Sequence, residues 1–100
     1  IIHIAARAAV DPFPGAGAYI VSKSGLLALI KVLALELAGS GVKVNGVLPT
    51  TIDTPANRQS MPNADPNQWV KPEAIAALLV FLASDEADAL NGALIPIGSS

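Results

Sequence analysis

Cysteine is absent from this 100-residue chain, and charged residues are scarce. The lack of cysteine excludes disulfides and thiolate metal sites and fits a reducing compartment, so we expect a cytoplasmic protein with no metal site. Lysine and arginine together number six, against eight acidic residues and a net charge of −2. Without a basic stripe along the sequence, we expect no nucleic-acid partner.

The sequence also lacks a long uninterrupted apolar run. The most apolar stretch, from Gly25 to Leu37, contains Lys31 and Glu36 and is shorter than the ~20 residues that a membrane span needs. We therefore expect no membrane partner, and no secretion signal is recognisable at the N-terminus. The composition is nevertheless 52% hydrophobic and only 14% charged. Since a lone domain of this size leaves much of its surface in water, this excess predicts burial against a partner subunit or against more of a larger protein.

Apolar runs of two lengths alternate along the chain. Short runs rich in Ile and Val predict buried strands, whereas longer stretches of Ala and Leu predict helices. The expected elements are, in order, a fully buried strand 1–6, helix 18–38, buried strand 42–49, a proline-rich loop 50–69 with room for one short helix, helix 71–84 and strand 92–98. This order is typical of a parallel sheet covered by helices. Helix 18–38 is apolar on nearly every side, which predicts burial on more than one face.

Tyr19 and Lys23 lie one helical turn apart, so their side chains are neighbours on the first predicted helix. A free phenol titrates near ~10 and is a poor acid or base at neutral pH. A nearby ammonium favours the phenolate and makes such a group usable for proton transfer. The alternative is that the tyrosine packs and the lysine extends to water, and the spacing alone does not decide between the two.

The surroundings of this pair resemble the short-chain dehydrogenases and reductases, whose catalytic signature Tyr-x-x-x-Lys is matched by Tyr19-Ile-Val-Ser-Lys23. The resemblance extends over essentially the whole chain, including the strand around Asn45 and a glycine at Gly92. It implies an α/β fold: the C-terminal half of a Rossmann-like doubly wound parallel sheet, with three strands and two main helices. No G-x-G-x-x-G follows a strand, so we expect the Gly-rich first half, roughly 130 residues judged from usual domain sizes, to lie outside residues 1–100.

The resemblance also implies an activity, namely hydride transfer with NAD or NADP to a small-molecule substrate. Tyr19 would exchange the proton, and Lys23 would favour its ionised form and hold the nicotinamide ribose. Ile52 and Thr54 match positions that contact the nicotinamide end of the cofactor in relatives, and Pro49, at the exit of the second strand, is a further candidate cofactor contact. In the family the active-site helix commonly packs against its copy, which implies a homodimer or homotetramer through helix 18–38.

One position departs from the family pattern. Ala6 stands where relatives carry a serine that polarises the substrate carbonyl, and such a donor is worth about 3 kcal/mol of barrier. Either the protein is inactive, or its substrate is already electrophilic. The run TPANRQSMPNAD in loop 50–69 is similar to dihydropteridine reductases, which also carry alanine there, and implies a quinonoid dihydropterin or a similarly activated substrate. Ala6, Asn57 and Arg58 are then candidate substrate contacts, and Asp53 is expected to cap the short helix.

Two other hypotheses stay open. The chain could be a truncated or inactive member of the family that acts only as an oligomerisation module through helix 18–38. It could also act on ordinary ketones, in which case replacing Ala6 by serine should improve it.

Overall fold

The computed structural model describes residues 1–98. Its elements are β1 (Ile2–Ile4), α1 (Gly17–Glu36), β2 (Asn45–Pro49), α2 (Pro55–Ser60), α3 (Pro72–Leu82) and β3 (Leu94–Ile97). Short 3-10 turns occur at Arg7–Ala9, Pro66–Gln68 and Asp85–Ala87. The predicted order of strands and helices is confirmed, with α2 as the short helix in the loop.

The three strands form one parallel sheet in the order β1-β2-β3. Every residue of the central strand β2 is buried, as its sequence predicts. The prediction of a fully buried first strand is wrong: Ile4 is 47% exposed. The reason is that β1 is an edge of the sheet in the described part of the chain, with β2 as its strand neighbour. The α/β class and the Rossmann-like arrangement are confirmed.

Helix α1 uses one stripe of its surface to cover the sheet. Ile30 and Ala34 are buried against Val44, the residue directly before β2. Most other apolar positions of the helix face outward, and Val21 and Leu35 are 71% and 78% exposed. Its length and composition would also allow it to cross a membrane, a test that core helices of soluble proteins pass as well. Within residues 1–98, α1 carries five of the thirteen exposed large hydrophobic residues, so this helix offers apolar surface to a partner.

Asn45 joins the central strand to the loop that leads into β3. Its side chain is 1% exposed. Its Nδ2 donates to the Leu90 carbonyl at 3.1 Å, and its Oδ1 accepts the Ala93 N–H at 3.0 Å. The nearby Asn91 Oδ1 accepts the Val44 N–H at 3.0 Å. These bonds fix the loop against β2 and thereby set the register of β3.

Candidate active site

A cavity of about 560 Å³ lies at the carboxyl ends of β1 and β2. The turn after β1, the first two turns of α1 and the loop after β2 complete its wall. Ligands of parallel α/β sheets bind outside the carboxyl ends of the strands, so this is the position expected for a ligand site. Within residues 1–98, no group of three or more metal-ligating side chains occurs.

Six of the eight residues singled out from the sequence line this cavity. They are Ala6, Tyr19, Lys23, Pro49, Ile52 and Asn57. Thr54 and Arg58 do not line it, because their side chains are engaged within the loop after β2. The structure therefore brings the proton-transfer pair together with most of the predicted cofactor and substrate contacts, while the role of each residue stays a prediction.

The Tyr19–Lys23 pair sits in the first two turns of α1. The Lys23 ammonium lies 5.7 Å from the centre of the Tyr19 ring, within the range of a cation–π contact. Tyr19 is 49% exposed, so its ring is not part of the core. Lys23 is half-buried and holds its charge beside the ring. The side chains of Tyr19 and Lys23 are thus neighbours, as their spacing predicts, and both line the cavity.

Thr50 is a polar residue of the cavity wall that the sequence did not single out. Its N–H continues the sheet by donating to the Ile97 carbonyl at 3.1 Å. Its Oγ1 is buried and has no hydrogen-bond partner among residues 1–98. Buried hydroxyls without partners are rare and costly, and an absent ligand is one explanation for them. The only signal in the sequence is its place directly after a buried strand.

Ala6 presents a methyl group to the cavity at the end of β1. It is 6% exposed, and its backbone is extended, with φ −154° and ψ 145°. The preceding N–H, of Ala5, donates to the Val47 carbonyl at 2.8 Å and so holds this segment against the central strand. The segment is therefore firmly placed, but position 6 offers no hydroxyl to a substrate oxygen.

Asp53 anchors the loop after β2 and does not cap α2 as expected. The cap is Thr54, whose Oγ1 accepts the Asn57 N–H at 3.1 Å. The Asp53 side chain, 8% exposed, accepts bonds from Arg58 Nε at 2.7 Å and Nη2 at 3.0 Å, and from Lys71 Nζ at 2.6 Å. The Arg58 hydrogen bonds, followed by that of Lys71, hold the pKa of the Asp53 carboxyl well below its usual range. In return, Asp53 raises the pKa of Arg58.

The Asp53 cluster predicts a pH-dependent contribution to stability. Because the folded-state pKa of Asp53 is lowered, its contribution is complete above the ordinary aspartate value of ~3.9 and is lost as the pH falls below it. We expect Asp53→Asn to lower the free energy of unfolding at neutral pH, and the gap to wild type to narrow toward about pH 3. Urea unfolding at both pH values measures this, with the exposed Asp88→Asn as control. A gap that stays constant with pH would contradict the role of the ionised carboxylate.

Comparison with known proteins relates these features to a family. A sequence model described as enoyl-(acyl carrier protein) reductase matches residues 1–98. The chain is 34% identical over 110 residues to 4-formylbenzenesulfonate dehydrogenase TsaC1/TsaC2 of Comamonas testosteroni, an alignment that covers 97% of this chain and 44% of that protein.

Solved structures of relatives share the fold described above. Acetoin dehydrogenase from Enterobacter cloacae superposes with a TM-score of 0.83 at 33% identity, over 97% of this chain and 40% of that one. The 3-ketoacyl-(acyl-carrier-protein) reductase from Brucella melitensis, solved in complex with NADH, gives a TM-score of 0.81 at 27% identity, over 97% and 41%. The chain thus spans less than half the length of these relatives. It belongs to the short-chain dehydrogenase/reductase family.

Proposed function

We propose that residues 1–100 are the C-terminal portion of a single Rossmann-like domain in an NAD(P)H-dependent oxidoreductase. The observation that carries the proposal is the shared cavity at the carboxyl edge of the sheet, in which Tyr19 and Lys23 meet Pro49 and Ile52. Tyr19 is the proton donor in reduction and the acceptor in the reverse direction. Lys23 supplies the positive charge beside it.

The cavity fits a nicotinamide cofactor, NAD or NADP, in one respect. The Lys23 ammonium lies at the cavity and makes no hydrogen bond within residues 1–98. A carboxamide and ribose hydroxyls are partners of the required kind. Lys23 and Tyr19 would hold the ribose, while Pro49, Ile52 and Thr50 would line the nicotinamide end. When bound, the nicotinamide supplies the hydride.

Thr54 is the weakest of the proposed cofactor contacts. Its hydroxyl oxygen accepts the Asn57 N–H as the cap of α2, and it does not line the cavity. The hydroxyl hydrogen is still available for donation, so a contact from Thr54 requires that this hydrogen, and not the oxygen lone pair, faces the cofactor.

The chemistry of the chain's own residues is proton transfer beside a fixed cation. In reduction, the phenol O–H of Tyr19 gives its proton to the substrate atom that becomes negative when hydride arrives at its neighbour. Negative charge left on the phenol oxygen is then stabilised by Lys23. A phenol that is 49% exposed at a cavity can reach both a substrate and water for reprotonation.

The substrate is proposed to be an already electrophilic acceptor, such as a quinonoid dihydropterin. Ala6 supports this, because its buried methyl group lines the cavity where a hydroxyl would polarise a carbonyl. Arg58, a candidate substrate contact, is instead bound to Asp53. Asn57 is the remaining polar candidate from the loop, and its Nδ2 donates to the Ile52 carbonyl at 2.8 Å, which leaves its Oδ1 for a substrate donor.

Replacing Ala6 by serine tests the substrate class. With an activated acceptor we expect turnover to change by less than about threefold, since the added donor stabilises charge that the substrate already delocalises. With an ordinary ketone, the new hydroxyl should raise kcat by about 10²-fold. Steady-state NADH oxidation with both substrate types measures this, and Ala8→Ser in the same turn is the control for a new hydroxyl in the cavity. A gain of about 10²-fold with the activated acceptor, or wild-type turnover of a ketone as fast as that of the activated acceptor, would contradict the activated-substrate proposal.

The isolated 100-residue chain is expected to bind NADH weakly, with a dissociation constant above about 1 mM, because it contains no Gly-rich turn for the pyrophosphate. A fluorescence titration measures this, and a tight complex would contradict the proposal that a preceding half is needed.

The DNA immediately upstream of the Ile1 codon gives an independent test. A Gly-rich strand–turn–helix in frame is expected there, and an in-frame stop codon would oppose it.

We also propose that a second copy of the protein covers the exposed apolar face of α1, giving a cytoplasmic homodimer or homotetramer. Leu29, Val32 and Leu35 lie on this face and are 47%, 47% and 78% exposed. The competing hypothesis is a module that only oligomerises. Sedimentation and NADH titration of the protein with its upstream segment distinguish them, since a dimer that does not bind NADH supports the module and a dimer that binds it supports the enzyme.

A further inference from the structure

We propose that Arg7 binds an anionic group of the substrate, such as a carboxylate, in the cavity that contains Tyr19. The proposal rests on the proposed function only in taking this cavity as the substrate site. Arg7 opens the 3-10 turn that follows β1 and lines the cavity together with Tyr19 and Lys23. Its side chain is only 26% exposed, although it carries a full charge.

The guanidinium of Arg7 is poorly satisfied. Its charged contact runs from Nε to Asp11 Oδ2 at 3.4 Å, and the Asp11 side chain is 70% exposed. A long ion pair whose acidic partner is this exposed contributes little. Within residues 1–98, no hydrogen bond from the guanidinium is present, although arginine carries five N–H donors. The two Nη groups are therefore available for a ligand.

A carboxylate matches what these donors lack. Arginine binds carboxylates through two parallel N–H···O bonds, and such charge-assisted bonds are stronger than neutral ones. Donors that are withdrawn from water and left unbonded cost free energy. A bound carboxylate would remove this cost through two oxygens and a negative charge, whereas a neutral carbonyl offers a single oxygen and no charge.

The charge balance of the cavity also favours an anion. Among its lining residues Lys23 and Arg7 are cationic and Asp11 alone is anionic, while the chain as a whole carries −2. The rest of the lining is uncharged, with Phe13 and the methyl groups of Ala6 and Ala8 near the arginine in sequence. Apolar walls reduce screening and so strengthen the attraction of the cavity for a negative group.

The anionic group could belong to the substrate or to a phosphate of the cofactor. Arg7 directly follows Ala6, the position at which the substrate carbonyl is expected, and this places it at the substrate end. The experiment therefore has separate arms for the two sources.

The test is a fluorine NMR titration of the protein with its upstream segment, using para-fluorobenzoate and its neutral match, para-fluorobenzamide. We expect the benzoate to bind at least about tenfold more tightly, the ratio that one charge-assisted pair supplies. Arg7→Ala should remove the difference and Arg7→Lys should retain part of it. Asp11→Asn, which removes the competing carboxylate, should retain or increase it. Equal affinities for acid and amide in the wild-type chain would overturn the proposal.

Two further arms keep the result interpretable. Lys31→Met, outside the cavity, should leave benzoate binding unchanged, and NADH oxidation is measured separately, so a failure of the redox proposal is separable from a failure of this one. If NADH displaces the benzoate and Arg7→Ala weakens both ligands, the anion is the cofactor's phosphate and the substrate assignment is overturned. Circular dichroism of each variant checks folding. If Arg7→Ala does not fold, Arg7→Gln replaces it: the proposal then requires that Arg7→Gln loses the preference for benzoate and that Arg7→Lys keeps part of it.

Discussion

Replacing Tyr19 by phenylalanine is expected to lower kcat by about 10³-fold and to raise the dissociation constant for NADH by no more than about tenfold, the effect of one lost hydrogen bond to the ribose. The substitution removes only the hydroxyl that donates the proton and keeps the ring beneath the Lys23 ammonium. The measurement is steady-state NADH oxidation by the protein with its upstream segment, combined with an equilibrium NADH titration.

Lys23 provides the matched comparison. Lys23→Met should lower both kcat and the affinity for NADH, because the ammonium is proposed to act on the phenol and on the ribose. Lys31→Met is the control, since Lys31 lies on the same helix and its Nζ donates to the Gly92 carbonyl at 3.3 Å, away from the cavity. Should Tyr19→Phe retain more than about a tenth of wild-type kcat, Tyr19 is not the proton donor.

Replacing Asn45 by alanine is expected to lower the free energy of unfolding by about 2–3 kcal/mol. The change deletes both hydrogen bonds of a side chain that is 1% exposed. It leaves the Leu90 carbonyl and the Ala93 N–H without their partner at the entry to β3. Urea unfolding measures the loss.

Asn45→Asp separates the two bonds. The aspartate can still accept the Ala93 N–H but cannot donate to Leu90, and it carries a charge into a buried position, so we expect it to be no more stable than the alanine variant. Asn63→Ala, at an exposed loop position, is the control and should change stability by less than about 0.5 kcal/mol. If Asn45→Ala lowers the free energy of unfolding no more than Asn63→Ala does, the loop is not fixed by Asn45.

The sequence predicted those features that depend on neighbours along the chain. The helix at 17–36 and the central strand follow from local apolar patterns. The Tyr19–Lys23 neighbour relation follows from helical spacing, which places residues one turn apart on one face. Six of the eight candidate site residues share a cavity because the carboxyl ends of parallel strands meet at one edge of the sheet.

What the sequence did not predict depends on distant partners. Asp53 was expected to cap the helix beside it, yet one of its partners is Lys71, which is 18 positions away. The Thr50 hydroxyl lies against Gly98, directly after β3, where a side chain would collide with it, and this contact joins positions 48 apart in the sequence. The exposure of β1 likewise depends on whether a further strand pairs with its free edge, which no pattern inside β1 encodes.

The most direct test of Tyr19 as the group beside the nicotinamide is carbon-13 NMR of protein labelled at the tyrosine ring carbon that bears the hydroxyl. The Tyr19 signal is the one that disappears in Tyr19→Phe. On titration with NADH this signal should shift in the wild-type protein and in Lys31→Met, and the shift should be lost in Lys23→Met. A Tyr19 signal that stays in place while NADH demonstrably binds would contradict the assignment of the phenol to the cofactor site.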